Sequence, residues 1–222
     1  MKWLTFNQLW GGGVGPEPEQ HEYVDLGLPS GTLWATENIK DADGNELYFA
    51  WGETQGYTAK QVGNEEGKKA FTWDDYKFGP ADWKDKTNYG MTKYNKTDGL
   101  TVLEPEDDAA TVNWGSNWRM PTKEQFEELK ANTEYKWTDV DGVQCAKFTS
   151  RVEGHTDKFI FFPAVGVAKD GLPFGGTCVY WTASLSDKYV YTALKRVFNT
   201  GGASIATETT RDVGYPVRPV RN

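Results

Sequence analysis

Cysteine and histidine are almost missing from this chain, with two of each in 222 residues. Cys145 and Cys178 are too few for a disulfide framework, and whether they form a single bridge is left open, as is the redox compartment. His21 and His155 sit in no recognisable nucleophile or metal motif, so nothing supports a Ser-His-Asp or Cys-His arrangement, and both read as surface residues. A concentrated basic run is also lacking, and a net charge of −8 with a pI near 4.9 repels a phosphate backbone, which speaks against nucleic acid as a partner. No stretch approaches the length of apolar sequence that spans a bilayer, so no membrane insertion is expected. The segment MKWLTFNQLWGGGVGPEPEQ has neither a basic region followed by an apolar run nor a lipid-attachment cysteine, so it is not expected to act as a signal peptide.

Aromatic side chains and turn formers are abundant instead. Ten Trp, 11 Tyr and 11 Phe supply bulky amphipathic surface, while 24 Gly and 10 Pro punctuate the chain. Residues 1–20 form a separate unit. Trp3, Leu4, Phe6, Leu9 and Trp10 make an apolar cluster followed by a Gly/Pro linker, which either folds back or docks the protein to another chain or an oligomer partner. From residue 21 to 222 a single domain is expected. GTLWATENI and ELYFAWG are strand-like, joined by the DADGN turn. YKWTDVDGVQCAKFTS reads as a hairpin about Asp141-Gly142, DKFIFFPAVGV as a buried strand, and RVFNTGGASIATE as a hairpin turning at Asn199–Gly202. One helix, Thr122 to about Ala131, opens on a capping box of Thr122 and Gln125, with Phe126 and Leu129 facing inward. Gly52–Gly99 is polar, aromatic and aperiodic, as a long insertion would be. Few helices among many short antiparallel strands give an α+β class.

The candidate metal motifs are weak. Asp41–Glu46 and Asp139–Gly142 imitate the start of a calcium loop, but Gly52 and Ser150 stand where the bidentate glutamate belongs, so both are turns. The acidic run Glu104–Asp108 reads as a solvated face, with calcium binding there left open. Thirty-two acids nominate no particular glycosidase pair. No catalytic residue, metal or cofactor is assigned, and the chain is expected not to be an enzyme.

The ordered blocks EYVDLGLPSGTLWATENI, YFAWGE, LEPEDDAATVNWGSNWRMPTKEQFEEL, KFTS, FFPAVGV, YWTAS and GYPVRPVR extend from Glu22 to Arg221. Together they resemble the Fibrobacter succinogenes major paralogous domain family of Bacteroides-type bacteria and their phages. That resemblance implies a C-type lectin-like fold, shared with formylglycine-generating enzymes and with the variable proteins of diversity-generating retroelements. Trp114, Gly115, Trp118, Met120 and Pro121 then read as scaffold. Glu104-Pro105-Glu106 precedes the helix instead of following it, which departs from calcium-dependent sugar binding. Cys145 and Cys178, distant in sequence and without an activating neighbour, depart from the formylglycine-generating type.

In the retroelement-diversified relatives, variable side chains lie between a YWTAS-like and a GYPVRPV-like block. Here that frame encloses Ser184, Ser186, Asp187, Lys188, Tyr189, Tyr191, Lys195, Asn199, Thr200, Thr207, Glu208, Thr209 and Asp212. Large amphipathic and small polar groups suit adaptable recognition, and Tyr189 and Tyr191 are the expected anchors. The plainer alternative is an ordinary strand-loop-strand with a solvated outer face. The resemblance thus implies a receptor-binding or adhesive protein. Its partner would be a protein or glycan on a bacterial surface, and its place a virion tip or the extracellular cell surface.

Overall fold

The computed structural model describes residues 21–174, 176–203 and 207–222; the apolar cluster and linker expected over residues 1–20 lie outside them. Twelve strands and two α-helices, with three short 3₁₀ turns, make up these residues, and every pairing between strands is antiparallel. Among them no helix is long and apolar enough to cross a membrane.

β1 (Tyr23–Asp25), β2 (Leu33–Ala35) and β12 (Val220–Arg221) form one sheet in the order β1-β2-β12, so the first and last strands flank the same neighbour. β3 (Thr133–Val140), β4 (Val143–Ser150) and β5 (Phe159–Pro163) form a meander. The tight turn between β3 and β4 falls at Asp141 and Gly142, both with positive φ (52° and 83°), the conformation that a two-residue hairpin requires. β6 (Val167–Lys169) pairs with β7 (Leu172–Phe174). The last sheet joins β8 (Cys178–Leu185) to β9 (Thr192–Asn199), and β9 also pairs with β10 (Gly202–Ala203) and β11 (Thr207–Thr210).

β8 organises the interior. All eight of its residues are buried, and successive side chains of a strand point to opposite faces. Val179, Trp181, Ala183 and Leu185 enter a cluster with Trp51, Phe71 and Tyr94, whereas Cys178 and Tyr180 enter a second with Trp34, Phe126, Phe148 and Phe162. The polar members of the strand are bonded: Thr182 Oγ1 donates to the Leu194 carbonyl at 2.8 Å, and Ser184 Oγ accepts from the Lys123 N–H at 3.1 Å. A strand buried on both faces needs no alternation of polarity, which is why its sequence shows none.

The helices depend on their caps. α1 (Ala109–Trp114) begins at Asp108, whose carboxylate accepts from the N–H groups of Ala110 and Thr111 at 2.9 Å and also from that of Met120. α2 (Lys123–Asn132) carries the expected capping box, with Thr122 N–H donating to Gln125 Oε1 at 3.1 Å and Gln125 N–H to Thr122 Oγ1 at 3.4 Å. Phe126 and Leu129 are buried as expected. The acidic run is a solvated face only in part: Glu104 and Glu106 reach solvent, whereas Asp107 and Asp108 are buried, because one anchors the insertion and the other caps α1. ELYFAWG forms no regular strand either. It is an extended segment held by bridges, with Phe49 and Tyr215 exchanging both backbone bonds at 3.0 Å.

The insertion has little regular structure and is held by side chains. Arg211, fully buried, donates to the Tyr76 hydroxyl (2.8 Å) and to the carbonyls of Val190 (2.8 Å), Lys93 (3.0 Å) and Tyr94 (3.2 Å). Its guanidinium lies 4.9–5.8 Å from the ring centroids of Trp51, Tyr76, Phe78 and Tyr94. A second tie is the buried pair Lys69–Glu53 at 2.8 Å. Arg211→Met leaves three buried acceptors and one part-buried acceptor without their donor and is expected to cost at least about 3 kcal/mol. Urea unfolding measures this, and a loss below about 1 kcal/mol would refute the anchoring role.

Candidate ligand-binding face

The chain between β8 and β9 is a short, internally bonded loop. Ser186 N–H donates to the Thr192 carbonyl at 3.1 Å, Lys188 N–H to Ser186 Oγ at 3.1 Å, and Thr192 N–H to the Tyr189 carbonyl at 3.0 Å. With the Val190 carbonyl gripped by Arg211, the loop presents Tyr189 and Tyr191 from a fixed backbone. Their rings stack, with centroids 5.1 Å apart and planes at 22°. Tyr191 then meets two rings of the insertion nearly edge-on, Tyr89 at 4.8 Å and Trp83 at 5.1 Å. Trp83 also touches Tyr89 (6.1 Å) and Trp73 (6.2 Å). Lys86 lies over the Tyr89 ring and donates to the Trp83 carbonyl. Trp83 and Tyr189, which both contact the half-buried Tyr191, remain 48% and 45% exposed. Burial, with the neighbouring Tyr189 and Tyr89, raises the Tyr191 pKa, so its phenol is neutral.

The residues expected at this face divide into groups. Tyr189 and Tyr191 belong to the aromatic patch. Asp187 and Lys188 are exposed beside it, bridged to Lys123 (3.4 Å) and Glu208 (3.3 Å). Thr207, Glu208 and Thr209 are half-buried on β11, opposite Lys195, Leu194 and Ala193. Lys195 turns onto Tyr215, with Nζ 3.0 Å from the hydroxyl. Ser184, Ser186 and Asp212 are only 5%, 6% and 3% exposed, and so do not contribute a solvent-facing surface. The two serines are spent on backbone bonds, and burial raises the pKa of the Asp212 carboxyl. Asn199 and Thr200 are exposed, but at the far end of β9, about 23 Å along the strand from Thr192. Trp83 and Tyr89 were not expected here. The aromatic content of the insertion was visible in the sequence, but its contact with Tyr191 was not.

Elsewhere the reactive groups are occupied. Glu104, Glu106 and Asp107 are close enough to share one cation, and the Lys93 ammonium sits among them at 2.6, 3.1 and 2.6 Å. Both cysteines are free and buried; burial raises the pKa of each, and the Cys178 thiol donates to the Phe162 carbonyl at 3.2 Å. Such thiols are poor nucleophiles. The histidines lie half-buried at the surface. His21 stacks on Trp114 with centroids 3.6 Å apart, and His155 Nε2 lies 3.6 Å from Asp25. Comparison with protein-family models, with curated proteins and with solved structures finds no match.

Asp107 links the insertion to this side of the molecule. Burial works against its charge, but hydrogen bonds from Lys77, Lys93 and Tyr94 outweigh that cost and hold its pKa below the usual carboxylate range. A depressed folded-state pKa contributes stability above the unfolded-state value, and that stability is lost as pH falls through the folded one. The stability gap between wild type and Asp107→Asn should therefore be widest near neutrality and shrink as the pH drops below about 4. Urea titrations across that range measure it, and a pH-independent gap would show that the charge of Asp107 does not matter.

Proposed function

We propose that the protein is a recognition module, receptor-binding or adhesive, whose ligand face is the patch built by Trp83, Tyr89, Tyr189 and Tyr191. The observation that carries this reading is the exposure of two large aromatic rings, Trp83 and Tyr189, in one ring cluster about Tyr191, whose loop is held by Arg211. Rigid aromatic side chains give large contact area at low entropic cost, and exposed clusters of them are characteristic of binding surfaces. Binding is favoured over catalysis because both thiols are buried and both histidines are packed or paired.

The scaffold we infer is C-type lectin-like, of the Fibrobacter succinogenes major paralogous domain type. Supporting it are the long insertion and the adjacency of the terminal strands across β2. On that reading the segment from Tyr180 to Arg221 is diversified, and the protein is displayed on a phage particle or a Bacteroides-type cell surface, where it meets a bacterial surface protein or glycan. A near-copy of the codons for Tyr180 to Arg221 beside a reverse-transcriptase gene would establish diversification.

The binding face itself is tested by titrating fluorescently labelled protein onto Bacteroides-type cells. Truncating a central aromatic anchor costs about 2 kcal/mol or more, so Tyr189→Ala and Trp83→Ala should each weaken wild-type binding about 30-fold. Thr200→Ala, at the far end of β9, should change it less than about twofold. Equal binding by all three folded variants would move the ligand face elsewhere.

A further inference from the structure

Among the described residues the sulfur groups, which oxidise most readily when exposed, are all hidden: Cys145, Cys178, Met91 and Met120 are buried. The exposed oxidisable side chains are aromatic instead. Of the 11 tyrosines, Tyr23 and Tyr189 are exposed, and Tyr23 has an arginine, not another phenol, against its ring. Tyr189 opens onto the one place where tyrosine rings touch each other. Tyr191 meets Tyr189 at 5.1 Å and Tyr89 at 4.8 Å, and no other contact between tyrosine rings occurs among the described residues. Trp83, also exposed, touches both Tyr89 and Tyr191, so an electron removed at its surface leaves an oxidised indole one contact away from either phenol.

The backbones that carry Tyr89 and Tyr191 are both fixed. Tyr89 has φ 54°, a left-handed conformation that a bulky residue adopts only when its surroundings impose it. Its N–H donates to the Asp85 carbonyl at 3.0 Å, and its carbonyl accepts from Asp82 N–H at 2.9 Å. At Gly90, which follows, a Cβ would stand 2.5 Å from Asp82 N and the Pro80 carbonyl oxygen, so the turn admits no side chain there. On the other side Arg211 holds the Val190 carbonyl, and Thr192 N–H donates to the Tyr189 carbonyl. Among the described residues neither the Tyr89 nor the Tyr191 hydroxyl has a hydrogen-bond partner, which leaves both protons free to pass to solvent. The rings of a biaryl are twisted out of a common plane and not stacked, so Tyr89 and Tyr191, inclined at 64°, are nearer to a joined geometry than Tyr189 and Tyr191 at 22°. Reactants held this close need little more than rotation of the rings to meet.

We propose that Tyr89 and Tyr191 form an oxidative cross-linking site: an oxidant of the haem-peroxidase class, acting with hydrogen peroxide, joins them as dityrosine and bolts the insertion to the loop between β8 and β9. Each phenol gives up one electron and its O–H proton, and the two phenoxyl radicals combine by a carbon–carbon bond between ring positions ortho to the hydroxyls. The hydrogen on each of those carbons then moves, through water, to the phenol oxygen and restores the aromatic ring. In sum one C–H bond breaks on each ring and one C–C bond forms, and the two electrons and two protons released reduce one hydrogen peroxide to two molecules of water. Arg211 already sets the distance between these two segments, and the cross-link makes it permanent. This chemistry is independent of the ligand-binding role argued for the same face.

The test treats the dilute full chain with a haem peroxidase and hydrogen peroxide, isolates the monomer and digests it with trypsin. Cleavage after Lys86, Lys93, Lys188 and Lys195 leaves Tyr89 in the peptide 87–93 and both loop tyrosines in the peptide 189–195. Mass spectrometry should find these two peptides joined with the loss of two hydrogen atoms, and fragmentation should place the bond on Tyr191. The monomer should gain the blue fluorescence of dityrosine, at a yield independent of protein concentration. Tyr89→Phe and Tyr191→Phe keep the rings and remove only unpartnered hydroxyls, and each should abolish the joined peptide, whereas Tyr189→Phe should retain it. Because the bond closes a loop of about a hundred residues in the unfolded chain, the urea midpoint of the cross-linked monomer should rise. Loss of two hydrogens within peptide 189–195 alone, survival of the joined peptide in Tyr191→Phe, or cross-links only between molecules would overturn the pairing. Oxygen added to Trp83 without dityrosine would overturn it as well, and an unchanged urea midpoint would overturn the bolting role.

Discussion

A guanidinium buried without a carboxylate ties the insertion to the loop between β8 and β9. Removing a charge of that size from water costs several kcal/mol, and among the described residues Arg211 has no ion-pair partner to offset it. What offsets it is the convergence of four oxygen acceptors and four aromatic faces drawn from four segments, at Trp51, Tyr76–Phe78, Lys93–Tyr94 and Val190. Each donor has a fixed direction, so the guanidinium sets a distance and an angle between the insertion, which supplies Tyr76, Lys93 and Tyr94, and the loop that supplies Val190. The position of Tyr191 against Trp83 and Tyr89 follows from that geometry. A lysine has the charge but not the fork, and would satisfy fewer of these acceptors.

The same device recurs. Arg218, also buried, donates to Asn38 Oδ1 at 2.8 Å and the Ala35 carbonyl at 2.9 Å and lies 5.0 Å from the Phe162 ring. Arg196 donates to the Lys123 carbonyl and Glu127 at the start of α2. Three arginines of the C-terminal part, Arg196 on β9 and Arg211 and Arg218 between β11 and β12, thus fasten the insertion, the β2 region and α2 to the end of the chain. Long irregular loops become ordered when their carbonyls accept hydrogen bonds from a central guanidinium, which satisfies backbone groups that no sheet ladder reaches.

How much of this was legible follows from the range of each interaction. The Asp141-Gly142 turn and the Thr122 capping box are local, because the residues that make them lie within a few positions of one another, and both stand where the sequence indicates. α1 is six residues long, too short for a periodic signal, and its cap Asp108 is hidden inside an acidic run. β8 mixes Thr and Ser with Trp and Tyr because its hydroxyls find partners on β9 and at Lys123, contacts that have no local signature. The patch was half legible. Tyr189 and Tyr191 announce themselves within an otherwise polar loop, but Trp83 and Tyr89 reach them from the other half of the chain. Ser184, Ser186 and Asp212 looked like surface because they are polar, whereas the fold places them inside.

The sheet β1-β2-β12 has a mechanical consequence. β1 and β12 are both antiparallel to β2 and therefore run parallel to each other, with Asp25 and Arg221 both opposite Leu33. Tension applied through the two ends of the chain pulls β1 and β12 in opposite directions along the axis of the strand between them. Hydrogen bonds in such a ladder lie across that axis, so they are sheared together instead of being unzipped one at a time. The exchange between Arg119 and Val220, 2.9 Å in both directions, adds a further fastening at β12. Pulling forces would therefore meet resistance first at the terminal sheet, before the load reaches the loops that carry the aromatic patch.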